Sequence, residues 1–178
     1  MIILISIAAL IALLLIAAAL QSNSFAISRD IVITRSVEDV FEYIRHLRNM
    51  EHYNKWVMTD PNQKTRFTGT DGQVGFIYAW DSENKNSGKG EQEIKQIVPN
   101  QKLRTEIRFE KPFKGVSEAI LTTELIAAGQ TRVIYTFQGA KNFGMKIAHL
   151  LFGLEKILGK DLDTTMKNLK TQLEKSSF

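Results

Sequence analysis

Residues 102–110 read Lys-Leu-Arg-Thr-Glu-Ile-Arg-Phe-Glu, and this stretch indicates the fold most clearly. Charged side chains alternate along it with those of Leu103, Thr105, Ile107 and Phe109. Because successive side chains of a β-strand point to opposite faces, the alternation predicts a strand with one buried and one solvated face. Such strands are typical of antiparallel sheets that cover a core on one side only.

The neighbouring stretches predict more strands of the same sheet. Pro99-Asn100-Gln101 and Ala128-Gly129-Gln130 are short turns of the kind that join adjacent strands. Gly88-Lys89-Gly90 lies inside a strand pattern and indicates a bulge or close backbone packing. This close spacing predicts an antiparallel meander. Its further strands are expected at residues 65–68, 75–81, 88–98, 116–127 and 131–138.

The chain before the meander predicts one further strand and a helix. Residues 25–35 alternate apolar and polar side chains, as expected of a first strand. Ser36 is a good N-cap for a helix over residues 37–48, whose apolar side chains follow helical spacing. A second, short helical turn is expected at residues 52–56.

The chain after the meander predicts a long closing helix. Apolar side chains recur at three- and four-residue steps from Ile147 to Leu173. Gly153 and Gly159 lie inside this stretch, so a kink or break near them is expected. The element order predicts an α+β fold in which a curved antiparallel sheet wraps around the long C-terminal helix. A cavity between sheet and helix would favour the binding of apolar molecules.

The first twenty residues predict a membrane segment. They contain no charge and one polar side chain, Ser6. As a helix, about 19 apolar residues span roughly 28 Å, close to the ~30 Å hydrocarbon core of a bilayer. We therefore expect a transmembrane anchor at residues 1–20. A linker and the start of the first strand would follow at 21–28, and the soluble domain at 29–176.

A cleaved signal peptide is the alternative to a retained anchor. Ala17-Ala18-Ala19 offers the small residues that a signal peptidase requires. No Lys or Arg precedes the apolar run, and the run is long, so retention is the favoured interpretation. Several arginines follow the segment and favour a cytoplasmic position for the soluble domain. They are Arg29, Arg35, Arg45 and Arg48.

The rest of the composition excludes several classes of function. The chain of 178 residues has a net charge of +4 but no dense Lys/Arg block, so no nucleic-acid partner is expected. It has no cysteine, which excludes disulfides and thiolate metal sites. His46, His52 and His149 are scattered, and no nucleotide-binding motif occurs. The sequence therefore predicts no metal and no cofactor.

A series of short motifs resembles one protein superfamily in order and spacing. The motifs are Arg35-Ser36 with Val40-Phe41, His52-Tyr53-Asn54-Lys55-Trp56, Gly72-x-x-Gly75-x-x-Tyr78-x-Trp80, Gly88-Lys89-Gly90-Glu91-Gln92, Thr131-Arg132-Val133 with Gly139, and Gly159-Lys160-Asp161 with Leu169-Lys170. Over residues 29–174 the chain resembles the START-like, helix-grip superfamily, specifically its bacterial polyketide cyclase/dehydratase-like branch, the SRPBCC proteins. Thr165-Met166 departs from the Gly-Leu that often stands before the last Leu-Lys of that branch.

The resemblance implies a helix-grip fold with a cavity, and it leaves the activity open. The same fold serves lipid carriers, ligand sensors and cyclases. The candidate cavity-lining side chains are aromatic and aliphatic residues of the strands, the helical turn and the closing helix. They are Trp56, Tyr78, Trp80, Ile107, Phe109, Tyr135, Leu154, Leu158, Leu162 and Met166. Packing in a core would account for the same residues without any ligand.

Catalysis would require an acid or a base near the cavity. The candidate carboxylates on strands are Glu91, Glu93, Glu106 and Glu124. None is paired with a histidine at a telling spacing, and charged side chains usually remain in solvent. A solvated sheet face is therefore the simpler interpretation, and no catalytic residue is assigned.

Three functions follow from these features. The leading hypothesis is a membrane-anchored, non-catalytic domain that binds a hydrophobic small molecule or lipid in the sheet–helix cavity, with residues 2–20 contacting the membrane. The alternative is a polyketide cyclase/dehydratase-like enzyme. The second alternative is a protein-interaction module at the membrane, which a large exposed apolar patch would favour.

Overall fold

The computed structural model describes residues 1–84, 87–112 and 114–175, with Leu154 described by its backbone alone. Residue 176, where the predicted domain ends, lies outside the described residues. The helices and strands are α1 (Ile2–Leu20), β1 (Ser24–Ile33), α2 (Val37–Arg45), β2 (Lys64–Thr68), β3 (Ile77–Asp81), β4 (Lys89–Val98), β5 (Lys102–Lys111), β6 (Gly115–Ala127), β7 (Gln130–Ala140), α3 (Phe143–Phe152) and α4 (Leu154–Lys175). Two 3₁₀ helices, Leu47–His52 and Val57–Thr59, lie between α2 and β2.

All described strands belong to one antiparallel sheet. Its order is β1-β7-β6-β5-β4-β3-β2, so consecutive strands from β2 to β7 are neighbours and β1 closes against β7. The predicted meander is thereby confirmed, with strand ends within about two residues of the expected positions. The register shifts between Lys89 and Gly90, which confirms the bulge expected from the Gly-Lys-Gly sequence.

The core lies between the concave face of this sheet and α4. Helix α4 packs beside β1, and its residues from 162 onward supply the centre of the core. The buried α4 side chains there are Leu162, Met166, Leu169 and Leu173. Helix α2 adds Val40, Phe41 and Ile44 to the same core. The fold is the helix-grip arrangement expected from the sequence.

The closing helix is two helices rather than one. Gly153 adopts a positive φ of 60° and ends α3, and its N–H donates to the carbonyl of His149 at 2.9 Å. Glycine enters this left-handed region without the steric cost that other residues pay. Gly159 lies within α4, where a Cβ would meet the guanidinium group of Arg29. The break is therefore at the first glycine, and the second provides room for a neighbour.

The region after α2 differs from its predicted helical course. The predicted helix 37–48 ends at Arg45 because His46 is extended, and Asp71 accepts a hydrogen bond from the Leu47 N–H at 2.8 Å. The helical turn expected at 52–56 is replaced by the two 3₁₀ helices on either side of it. Between them, the Asn54 side chain accepts hydrogen bonds from the backbone N–H groups that follow it.

Helix α1 is the described helix that is long and apolar enough to cross a membrane. Residues 1–13 are exposed, and Ala18 in the last turn is its buried residue. The helix packs against α3. A signal sequence would have the same length, composition and N-terminal position, so these features identify a candidate membrane span or signal.

Candidate ligand cavity

A cavity of about 220 Å³ lies between the concave sheet face, the 3₁₀ segments and the start of α4. Its walls are mainly aromatic and aliphatic, with a few amide and hydroxyl groups. The described lining residues are Met50, Asn54, Trp56, Val57, Gln63, Tyr78, Trp80, Ser87, Gln92, Ile107, Phe109, Tyr135, Phe137 and Leu158.

Seven of the ten side chains proposed from the sequence lie on this lining. They are Trp56, Tyr78, Trp80, Ile107, Phe109, Tyr135 and Leu158. Leu162 and Met166 are instead buried in the core next to the cavity, because α4 extends beyond the open space by several turns. The side chain of Leu154 lies outside what the structure describes.

Aromatic pairs form two sides of the cavity. The rings of Trp56 and Phe137 lie 5.9 Å apart, and those of Trp80 and Phe109 meet edge to face at 6.1 Å. The Trp80 indole N–H donates to the carbonyl of Ser87 at 3.0 Å, which fixes the orientation of the ring. A Cβ at Gly90 would lie 2.8 Å from Trp80 Cζ2, so this glycine provides the space that the indole occupies.

Gln92 is the buried amide of the sheet wall. Its Nε2 donates to Thr105 Oγ1 at 2.8 Å, and that hydroxyl donates to the carbonyl of Ala119 at 3.1 Å. The chain of hydrogen bonds holds the amide in place, which keeps a polar group inside an otherwise apolar wall. The carbonyl oxygen of Gln92 can accept a hydrogen bond from a ligand.

Asn54 and Tyr135 form a second polar group on the lining. The Asn54 side-chain oxygen accepts hydrogen bonds from the N–H groups of Trp56 and Val57, at 3.0 and 3.4 Å. These bonds fix the loop that carries Trp56. Burial raises the pKa of the Tyr135 phenol, and a hydrogen bond with Asn54 opposes this in part. The phenol is therefore protonated at neutral pH.

Tyr78, which is fully buried, supplies the third polar group of the lining. Gln63 Nε2 donates to its hydroxyl at 3.4 Å, and the hydroxyl donates to Glu51 Oε1 at the same distance. Burial raises the pKa of Tyr78, and the negative charge of Glu51 raises it further. Like Tyr135, this phenol is a neutral donor at physiological pH.

The candidate carboxylates lie elsewhere. Arg108, on the convex face of the sheet, contacts Glu91 and Glu93 at 2.8 Å and Glu106 at 2.5 Å. Hydrogen bonds from Lys95 and then Arg108 lower the pKa of Glu93. Three of the four candidate glutamates are therefore held in ion pairs on the solvated face of the sheet. Glu124 is exposed near the far end of β6.

The histidines are also outside the cavity lining. His46 contacts Glu42 at 3.1 Å and Asp71 at 3.5 Å, and His149 lies 3.5 Å from Glu155. His52 is exposed at the end of the first 3₁₀ helix. Within the described ranges, no group of three or more His, Asp or Glu side chains is arranged to hold a metal ion.

Two of the polar lining residues had a sequence signal that the prediction did not use. Gln92 stands two positions from Gly90 and from Ile94, and all three are buried on the same face of β4. Strand alternation therefore pointed Gln92 inward. Asn54 lies inside the motif that carries Trp56, but only the folded loop shows that its amide caps the following turn.

The fold and the cavity define a helix-grip protein, in which a curved sheet holds a helix across an apolar space. The chain belongs to the family described as "Polyketide cyclase / dehydrase and lipid transport", whose sequence profile matches residues 24–174. This agrees with the resemblance found in the motifs. Comparison with curated protein sequences finds no significant match.

Solved structures share this fold at low sequence identity. Truncated norcoclaurine synthase from Thalictrum flavum has a TM-score of 0.63 at 10% identity, covering 88% of this chain and 99% of that one. Protein MLL2253 from Mesorhizobium loti has a TM-score of 0.61 at 15% identity, and the match covers 86% of this chain and 100% of that one. The Aha1 dimer from Colwellia psychrerythraea has a TM-score of 0.59 at 16% identity, and the match covers 86% of this chain and 99% of that one. At these identities the similarity establishes the fold alone.

Proposed function

We propose that this protein binds an uncharged, hydrophobic small molecule in its sheet–helix cavity without transforming it, while α1 holds it at a membrane. The observation that carries the proposal is a mainly apolar cavity whose polar groups are amides, a hydroxyl and protonated phenols. Pockets of this composition bind apolar ligands and orient them through a few hydrogen bonds.

The size of the cavity limits the ligand. An apolar cavity of about 150 Å³ is sufficient for benzene, whereas drug-sized ligands occupy about 300–1,000 Å³. The volume of about 220 Å³ therefore fits a molecule of one or two rings, or the ring end of a longer lipid. A quinone-like or phenolic compound satisfies this limit. A phenolic hydroxyl would donate to the carbonyl oxygen of Gln92, and a quinone oxygen would accept from the Tyr135 phenol.

The polarity of the cavity limits the charge of the ligand. A buried carboxylate or phosphate without a cationic partner would be strongly disfavoured. The described lining contains no Lys, Arg or His. The part of the ligand inside the cavity is therefore uncharged. The catalytic alternative lacks a carboxylate or imidazole in this lining to act as acid or base near neutral pH.

Membrane attachment complements this binding role. A hydrophobic ligand partitions into lipid, so a domain tethered to the bilayer by α1 is close to a high local concentration of it. Retention of α1 and a cytoplasmic position of the domain belong to the same proposal, on the basis of the flanking charges of the sequence.

Titration of the full-length protein in mild detergent with naphthol tests the proposal, with fluorescence as the readout. Naphthol has two rings and one hydroxyl, which matches the cavity. We expect saturable binding that Leu158→Trp abolishes, because Leu158 lines the cavity. Ile157→Trp is the matched control, since Ile157 is the preceding residue of α4 and is exposed. Gln92→Leu should weaken binding about tenfold through the loss of one hydrogen bond.

The same preparations are examined by native mass spectrometry for a co-purified small molecule. Absence of naphthol binding together with absence of any co-purified ligand would contradict the proposal. Equal binding by Leu158→Trp and the wild type would show that naphthol binds outside the cavity.

A further inference from the structure

Exposed apolar side chains extend from the start of α3 to the first turn of α4. They are Phe143, Leu150, Leu151 and Phe152 of α3 together with Ile157 of α4, and we call them the α3 surface. These side chains are between 41% and 67% exposed. So many large exposed apolar side chains within residues 143–157 indicate an interaction surface, because soluble domains rarely leave large apolar patches uncovered.

The α3 surface lies beside the apolar N-terminal helix. Helix α3 packs against α1. Within α1, Ala18 is buried and Leu14 is partly buried, whereas residues 1–13 are exposed, so the contact involves the C-terminal end of α1. If α1 crosses a bilayer, that end is where the chain leaves the hydrocarbon. The α3 surface is therefore at the level of the membrane boundary.

The length and charge of the α3 region fit an interfacial position. Helix α3 has 10 residues and is about 15 Å long, which is too short to cross a bilayer. Residues 141–160 contain four lysines and a single acidic residue, Glu155. Lys156 and Lys160 are exposed. Basic side chains beside an apolar helix face favour binding at anionic lipid headgroups.

We propose that the α3 surface is a second membrane contact, which lies in the headgroup–acyl boundary of the same bilayer that α1 crosses and prefers anionic lipid. The proposal rests on the membrane anchoring by α1 proposed above. The bilayer is the partner that this position favours. Because α3 packs against the end of α1, a bilayer that surrounds α1 also covers the α3 surface.

This contact brings the ligand cavity to the membrane. Leu158 lines both the cavity and a void of about 20 Å³ under α3, whose other lining residues are Phe25, Lys141, Met145, His149 and Glu155. When the α3 surface contacts lipid, a side chain that lines both spaces lies close to the bilayer.

The absence of cysteine allows the contact to be measured at single positions. Full-length Leu151→Cys is labelled with the environment-sensitive fluorophore NBD and reconstituted into phosphatidylcholine vesicles with and without phosphatidylglycerol. Ala128→Cys is the matched control, because the β6–β7 turn is at the opposite end of those strands from the α1 linker. Ile11→Cys reports on α1. Quenching by nitroxide-labelled lipids reports lipid contact for each label.

We expect a blue-shifted emission and a several-fold greater loss of fluorescence to lipid quenchers at residue 151 than at residue 128. The quenching should increase with phosphatidylglycerol and decrease in Lys156→Glu/Lys160→Glu. Quenching at residue 11 without quenching at residue 151 would overturn the second contact and leave the α1 anchor intact. A blue shift at residue 151 without lipid quenching would assign the surface to a second protein copy and also overturn the proposal.

Absence of lipid quenching at both residue 11 and residue 151 would overturn the α1 anchor together with the second contact. Ligand binding by the cavity is measured separately with naphthol. Its outcome therefore distinguishes a failed membrane contact from a failed binding function.

Discussion

The two halves of the predicted closing helix carry the same apolar pattern and have opposite surroundings. From Leu162 onward, the apolar side chains of α4 are no more than 1% exposed. Leu150, Leu151 and Ile157, which belong to the first part of the same stripe, are at least 41% exposed. We call these the sealed half and the open half. The comparison teaches that apolar periodicity identifies a face that avoids water but not what covers that face.

The physical cause of the difference is the break at Gly153. Helix α4 packs beside β1 and covers the concave face of the sheet, whereas α3 packs on α1. A single straight helix would have placed the whole stripe on one partner. With the break, the sealed half stabilises the fold, and the open half stays exposed.

The largest expected contrast is between equal leucine truncations in the two halves. Leu169→Ala should lower the free energy of unfolding by about 2–5 kcal/mol, because Leu169 is fully buried and a cavity would remain. Leu151→Ala should change it by no more than about 0.5 kcal/mol in detergent, because Leu151 is exposed. Chemical denaturation of the full-length proteins followed by circular dichroism measures both. Equal losses would show that the open half is packed in solution.

A smaller effect is expected when Gly153, the residue at the break, is replaced. Gly153→Ala should destabilise the protein by about 1–2 kcal/mol, because an L-residue at φ 60° is strained. Gly144→Ala is the matched control at the start of α3, where φ is not positive and the nearest neighbour of a Cβ is Asn142 Oδ1 at 3.4 Å. Thermal melts compare the two variants. A neutral Gly153→Ala would mean that the break does not depend on glycine.

The sealed half should also give a pH-dependent contribution through Glu174. The Thr34 N–H donates to its carboxylate at 2.8 Å, and this hydrogen bond lowers the pKa of Glu174. A lowered pKa in the folded state contributes stability above the unfolded pKa of about 4.3, and this contribution is lost as the pH falls through the folded value. Glu174→Gln should therefore be less stable than the wild type at pH 7 and approach it at low pH. Denaturation midpoints from pH 7 to about 3 test this, and a constant difference would contradict it.

The smallest effect is expected at the ion pair of the open half. Glu155 is about half exposed and lies 4.0 Å from Nζ of Lys141, whose side chain is 7% exposed. Because the separation is long and the carboxylate is hydrated, the pair contributes about 0–1 kcal/mol. Glu155→Gln should therefore shift the melting temperature very little at low salt and not at all at high salt. A large loss of stability would show that α3 is held to α4 by electrostatics rather than by apolar contact.

Much of the fold could be predicted because its signals are local. Strand alternation in residues 102–110 and the turns after Val98 and Ala127 act over a few residues, and the structure has them as expected. The helix expected at 37–48 was too long because Asp71, which is distant in sequence, ends it by accepting the Leu47 N–H. Contacts between distant segments override local propensity.

The candidate site was accessible to sequence reasoning only in part. Aromatic and aliphatic residues on predicted strands gave most of the apolar wall, since alternation assigns them to one face. Leu162 and Met166 have the same spacing as Leu158 but lie in the core, because the length of the open space depends on the curvature of the sheet. The roles of Asn54 and Gln92 depend on hydrogen bonds to other segments.

The amino-acid sequence by itself determined the meander, the apolar N-terminal helix, the lack of thiol chemistry and the membership in a helix-grip family. The first three follow from patterns within a few residues or from composition, whereas the family membership follows from the resemblance of an ordered series of motifs along most of the chain. Only the tertiary structure decided where the apolar stripe is buried and where it is exposed, and which polar groups face the cavity. Burial depends on what other segments cover, and that information is absent from any single segment of the chain.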